Sequence, residues 1–155
     1  MMIEIKKVMD KNKKTEITSK IMNDLPLWFS PPEDIEETSI VHRDFHFFAA
    51  YDDNEVVGFL ALKVHNEYTA DIYNLGVLER YHRQGIGHQL INECINYCKD
   101  KGYIYLTVKT LDSSAEYEPY ERTRKFYFKE GFIPLEVFTT VWNEENPCLF
   151  LVKKI

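Results

Sequence analysis

Residues 69–102 read TADIYNLGVLERYHRQGIGHQLINECINYCKDKG. A β-rich run leads into a turn with Gly85 and Gly87 either side of Ile86. A helical stripe of Ile86, Leu90, Ile91, Ile95 and Cys98 follows, closed by Gly102. A strand that feeds a helix through a glycine turn restricts the chain to folds mixing sheet and helix. Such a turn also aims backbone N–H groups at an anion, because the first turn of a helix leaves its amides unpaired. The dinucleotide fingerprint fails here: its third glycine is absent, and the preceding strands form a meander instead of a βαβ unit. The P-loop pattern also fails, since no Gly-Lys-Ser/Thr follows. Two readings stand on the loop alone: a phosphate-binding turn with Arg83 at its edge, or a structural strand-to-helix turn.

The rest of the chain supplies the context. IEIKKV (3–8) alternates as a strand should, and Ile17, Ile21 and Leu25 space a helix over 15–25. Pro26, Pro31 and Pro32 break that helix, and PEDIEETSIV (32–41) forms a second with acids in its first turn. Strands over 45–51 and 55–65 meet across DDNE, and HNE leads to a third over 68–78. After the helix at 85–100 come a strand (103–110), a polar loop (LDSSAEYEPYE), a helix (YERTRKFYFKEG) and two strands, IPLEVFTTVW and CLFLVKKI. The order β-α-α-β-β-β-α-β-α-β-β predicts a mixed α+β or α/β sandwich, and 155 residues predict a single domain over 1–155.

Composition excludes several functions. A net charge of −6 argues against general nucleic-acid binding, which needs a basic face, and is compatible with a cationic partner such as an amine. Three cysteines, Cys94, Cys98 and Cys148, make no disulfide framework; Cys94 and Cys98 fall on one helical face and read as small buried residues, with no metal site called for. MMIEIKKVMDKNKK lacks the apolar centre of a signal peptide, and no apolar run reaches the length of a membrane span. The expectation is a cytoplasmic protein that binds neither nucleic acid nor membrane.

NLGVLERYHRQGIGHQLI, the helix and strand after it, and FYFKEGF (126–132) together resemble the GNAT N-acetyltransferase superfamily. Recognisable motifs cover about residues 45–135. The family's coenzyme motif is Gln/Arg-x-x-Gly-x-Gly/Ala: Gly85 and Gly87 match its last two positions, His82 departs from the first, and Arg83 is adjacent. The resemblance implies a GNAT-like, mostly antiparallel mixed sheet flanked by helices, and transfer of the acetyl group of acetyl-CoA to a primary amine by direct attack in a ternary complex. It places the pyrophosphate on Arg83, Gln84, Gly85, Ile86, Gly87 and His88, and the pantetheine arm along Leu75, Gly76 and Val77. Amides there would stabilise the oxyanion. Tyr127 would protonate the departing thiolate; as a residue it also reads simply as a packed helix-end tyrosine.

Two departures bear on catalysis. Tyr120 stands where the family often has a pantetheine-binding Asn, and Thr107 where some members carry a Glu base. Candidate bases are Asp71, Glu116 and Glu118, each also readable as a solvated acid. Alternation predicts that Asp71, Tyr73, Leu75 and Val77 share a face. Trp28, Phe29 and Tyr73 are candidates for the acceptor pocket, with Trp28 and Phe29 equally readable as a core plug. Arg122, Arg124 and Lys125 read as a solvated helix face, with contact to the coenzyme's 3′-phosphate as the alternative. The partner is a small-molecule or peptide amine, and a homodimer is compatible with the chain. The alternative function is a coenzyme-A-binding sensor with little catalysis.

Overall fold

A computed structural model describes residues 1–155. Its elements are β1 (Ile3–Lys7), α1 (Lys11–Asn23), α2 (Pro32–Val41), β2 (His46–Asp52), β3 (Glu55–Val64), β4 (Thr69–Val77), α3 (Ile86–Asp100), β5 (Tyr105–Leu111), α4 (Glu118–Lys129), β6 (Ile133–Asn143) and β7 (Asn146–Lys154). The order is the one predicted. Two boundaries move. α1 starts at Lys11, four residues early, because the Asp10 carboxylate accepts the Asn12 amide at 3.0 Å and caps the helix. α4 starts at Glu118, inside the predicted loop, with Pro119 in its first turn where a missing N–H costs nothing.

All seven strands form one sheet, ordered β1-β2-β3-β4-β5-β7-β6. Every pair is antiparallel except β4–β5. One face packs on α1 and α2: Phe47 stacks on Phe59 at 5.3 Å, and an added Cβ on Gly76 would lie 3.1 Å from Ile21 and 3.5 Å from Leu25. The other face packs on α3, whose buried stripe is Ile86, Leu90, Ile91, Cys94 and Cys98. The two helical cysteines are wholly buried, as their spacing predicts.

Two irregularities in β4 shape the centre of the molecule. Leu62 pairs with Ile72 and Ala61 with Asn74, so Tyr73 is the extra residue of a β-bulge. Cross-strand partners share a face, so Asp71 (opposite Lys63), Asn74 (opposite Ala61) and Gly76 (opposite Phe59) look toward α1 and α2. Ile72, Leu75 and Val77 look toward α3. The predicted face of Asp71, Tyr73, Leu75 and Val77 is therefore wrong: one inserted residue reverses the alternation. Tyr73 instead packs edge-on against Phe45, ring centroids 4.9 Å apart, and beside His42.

The second irregularity is a parting of strands. β4 and β5 pair only from Thr69–Ile72 to Tyr105–Val108. Beyond that point β5 continues on β7 and β4 on β3. Residues 73–77 thus have an open backbone edge in the middle of the sheet.

Candidate active site

Gly85 has φ +79°, in the left-handed region that glycine enters freely, and Arg83 sits at φ +62°. This double reversal folds the turn onto the start of α3. Backbone hydrogen bonding resumes at Gln89, whose N–H donates to the Gly85 carbonyl at 3.0 Å. The six amides of residues 83–88 make no backbone hydrogen bond. Donors clustered at a helix N-terminus, where the dipole adds positive potential, fit a pyrophosphate. The two glycines differ in role. An added Cβ on Gly85 meets nothing within 4 Å, so its backbone angle is the requirement. On Gly87 it would lie 2.8 Å from Phe126 Cζ, so α4 packing imposes that glycine.

His82 turns inward. Its Nε2 lies 2.6 Å from the Val77 carbonyl oxygen, and its ring meets Trp28 edge-on at 5.5 Å. That contact also orients β4. The Leu78 amide bonds Val57 on β3, and backbone groups alternate in direction along a strand, so those of Leu75 and Val77 face the open edge. A chain carrying amides can pair there as an added strand does. Of the remaining loop residues, Gln84 donates to the Arg80 carbonyl at 3.1 Å. His88 meets Glu130 at 2.8 Å and Asn92 at 3.0 Å, tying α3 to the end of α4.

Asp71 sits where β4 and β5 part, 3% exposed. Its Oδ1 accepts the Thr107 hydroxyl at 2.6 Å, with Lys109 Nζ at 3.8 Å and His65 Nε2 at 3.9 Å. The strand position that lacks a Glu thus holds a Thr that binds a carboxylate from the next strand. Tyr127 is buried between Phe126 and Phe132. Burial, then the Asp71 charge, then Tyr120, raise its pKa well above that of an ordinary phenol. Its hydroxyl stays protonated at neutral pH.

At the start of α4, several predicted residues are committed to one another. The Tyr120 hydroxyl donates to the Trp28 carbonyl at 2.7 Å, and Tyr117 donates to Leu27 at 2.6 Å. Trp28 Nε1 donates to the Pro119 carbonyl at 3.1 Å, and the Arg122 guanidinium lies 5.2 Å from its ring. Trp28 is the junction of the α1–α2 loop, the glycine turn and α4; the half-buried Phe29 packs against the core. Arg124 corrects the solvated-face reading: it is buried and donates to the Leu111 carbonyl at 2.6 Å. Glu118 pairs with Arg122 at 3.1 Å, while Glu116 is exposed with φ +49°. Neither Glu makes a contact with Asp71 or Tyr127.

Two residues of this region were not singled out in the sequence. His42 is fully buried and bridges Thr18 Oγ1 (2.8 Å) and Asn74 Oδ1 (2.7 Å). Burial lowers its pKa to about 4, partly countered by the Asn74 bond, so the ring is neutral. A histidine at the end of an amphipathic helix gives no signal of this; the bulge that brings Asn74 to it is not visible in the alternation.

The GNAT acetyltransferase family model matches residues 15–132. The uncharacterised N-acetyltransferase YsnE of Bacillus subtilis is 28% identical over 129 residues, 81% of this chain and 82% of that protein. A GNAT-family protein from Desulfovibrio desulfuricans superposes with TM-score 0.83 at 18% identity, covering 99% of each chain. A GNAT acetyltransferase from Elizabethkingia anophelis, solved with acetyl-CoA bound, superposes with TM-score 0.75 at 22% identity over 99% and 98% of the two chains. The chain belongs to the GNAT acetyltransferase family.

Proposed function

We propose that this protein is a single-domain N-acetyltransferase that moves the acetyl group of acetyl-CoA to a primary amine, by direct attack of the amine with both substrates bound. Acetyl-CoA brings a thioester, whose carbonyl carbon is the electrophile. The observation that carries the reading is the run of six unbonded amides at residues 83–88, continuous with the open edge of β4. Cytoplasmic residence belongs to the same reading.

The amides of residues 83–88 hold the pyrophosphate, and Leu75–Val77 pair with the pantetheine arm. The outward amides of Leu75 and Val77 donate to the carbonyl oxygen as it gains charge, and each donor of this kind contributes about 10²–10³ in rate. His82 occupies the Val77 carbonyl and leaves the amide free.

Asp71 holds the acceptor. Its Oδ1 is engaged by Thr107, while Oδ2 has no protein partner. Asp71 binds and aligns the ammonium, which loses its proton to water before the neutral amine attacks. Tyr127 donates a hydrogen bond to the departing thiolate. Burial keeps the Tyr127 hydroxyl protonated, and the same burial raises the proton affinity of the thiolate, so the phenol proton passes to the sulfur and is restored from solvent.

The test is thiol release from acetyl-CoA over a panel of primary amines, with a Gly85→Asp/Gly87→Asp variant beside the parent. Turnover that the variant loses through acetyl-CoA affinity supports the assignment; equal affinity in the variant overturns it. A coenzyme-A-binding sensor is the second reading, favoured by the Tyr120 hydroxyl being engaged by Trp28. Tight acetyl-CoA binding without turnover on any amine selects it.

A further inference from the structure

We propose that Asn74 is an acceptor-binding residue, and that the enzyme selects amines whose α-carbon bears a carbonyl group, as in an amino-acid amide or a peptide N-terminus. His42 is its positioning residue. This inference rests on the acyltransfer reading above.

The bulge at Tyr73 puts Asn74 on the same face of β4 as Asp71. Their partners on β3, Ala61 and Lys63, are two residues apart, so the two side chains are spaced by about 7 Å along the sheet. Asp71 lies at the last paired turn of β4 and β5; Asn74 is the first residue beyond the bulge, on the open edge. One is a carboxylate with a free oxygen. The other is a carboxamide whose Oδ1 is taken by His42 Nε2 at 2.7 Å. Its NH2 group makes no protein hydrogen bond and is not sealed from solvent. An anionic acceptor of hydrogen bonds and a neutral donor thus flank one stretch of edge.

The carboxamide oxygen faces a wholly buried imidazole; with that oxygen as acceptor, neutral His42 carries its proton on Nε2 and accepts the Thr18 hydroxyl on Nδ1, at 2.8 Å. Four rings, Phe45, Phe47, Phe59 and Tyr73, hold the imidazole in place, with centroids 5.6–6.2 Å away. Thr18 on α1, His42 after α2 and Asn74 on β4 form one chain of hydrogen bonds, and its free end is an N–H donor. An amine bound to Asp71 brings the substituents of its α-carbon toward Asn74, and a carbonyl oxygen among them accepts the NH2 hydrogen.

The test compares L-phenylalaninamide with 2-phenylethylamine, which lacks the carbonyl, by thiol release from acetyl-CoA. The readout is the ratio of their kcat/KM values. Asn74→Ala and Asn74→Asp each lower that ratio about tenfold, through the KM of the amide, as loss of one hydrogen bond predicts. Asn74→Asp keeps an oxygen for His42 and removes the donor; the charge it adds acts on both ammonium substrates alike and cancels in the ratio, so it separates binding from packing. His42→Leu lowers the ratio as Asn74→Ala does, and the double variant lowers it no further; His42→Gln, which restores a donor to Asn74, recovers most of it. Thermal unfolding of each variant separates misfolding from lost selectivity. A ratio unchanged in both Asn74 variants of an active enzyme overturns the inference and leaves acyltransfer standing. No turnover by the parent on either amine, or on any other, overturns both.

Discussion

Gly87 on α3 and Phe126 on α4 are in contact so close that a methyl group between them would lie 2.8 Å from Phe126 Cζ. The glycine turn and the helix carrying Tyr127 are thereby locked together: Phe126 is the neighbour of Tyr127, and their rings meet edge-on at 5.2 Å. The glycine turn and Tyr127 thus share one packing contact.

Gly87→Ala must displace that ring. The expected outcome is a loss of about 1–3 kcal/mol of stability, as overpacking a core costs, with a fall in kcat as Tyr127 shifts. Phe126→Leu in the same background restores part of both. Chemical denaturation and thiol-release kinetics check the pair.

Gly85 fails for a different reason. Nothing stands near its missing Cβ, but φ +79° costs an ordinary L-residue about 1–2 kcal/mol. Gly85→Ala loses about that much stability and weakens acetyl-CoA binding. Gly85→Asn, a residue that tolerates this conformation, loses less. Denaturant midpoints and calorimetric binding distinguish the two.

Tyr127→Phe keeps the ring between Phe126 and Phe132 and removes a hydroxyl that bonds no protein group. Stability changes by less than about 0.5 kcal/mol. The kcat falls about 10²-fold with the KM for acetyl-CoA unchanged, because the bond forms only as the thiolate leaves. An unaltered kcat would remove Tyr127 from the chemistry.

His42 makes stability depend on pH. Its pKa is lowered from 6.5 to about 4 in the fold. Between those values the unfolded chain binds the proton and the folded one does not, so acidification favours unfolding. Stability falls by about 1.4 kcal/mol per pH unit across this window, about 3 kcal/mol in all. His42→Gln removes this slope, leaving only that of other groups. Urea unfolding at intervals from pH 7 to pH 4.5, parent against variant, measures the difference.

The element order was legible because each element announces itself locally. Proline breaks, hairpin turns and the stripe on α3 need only near neighbours in sequence. The glycine turn was legible for the same reason, since φ +79° at Gly85 is a property of the backbone at one residue. The face of β4 was not. Alternation assigns Asp71 to the side of Leu75 and Val77, and a bulge at Tyr73 reverses it. A bulge is set by how β3 and β4 register against their packing, and no local pattern encodes it.

By itself the sequence determined a strand, a glycine turn and a helix that leave amides unpaired, with a tyrosine one helix later. Tertiary structure alone decided the side-chain contacts around the parted edge. Asp71 meets Thr107, His42 meets Asn74, and Trp28 meets His82 and Pro119 across separations of 32 to 91 residues. A phosphate cradle is built from consecutive amides and can be read from consecutive letters. A pocket for a small amine is built from single side chains on separate elements, and only the packing of those elements brings them together.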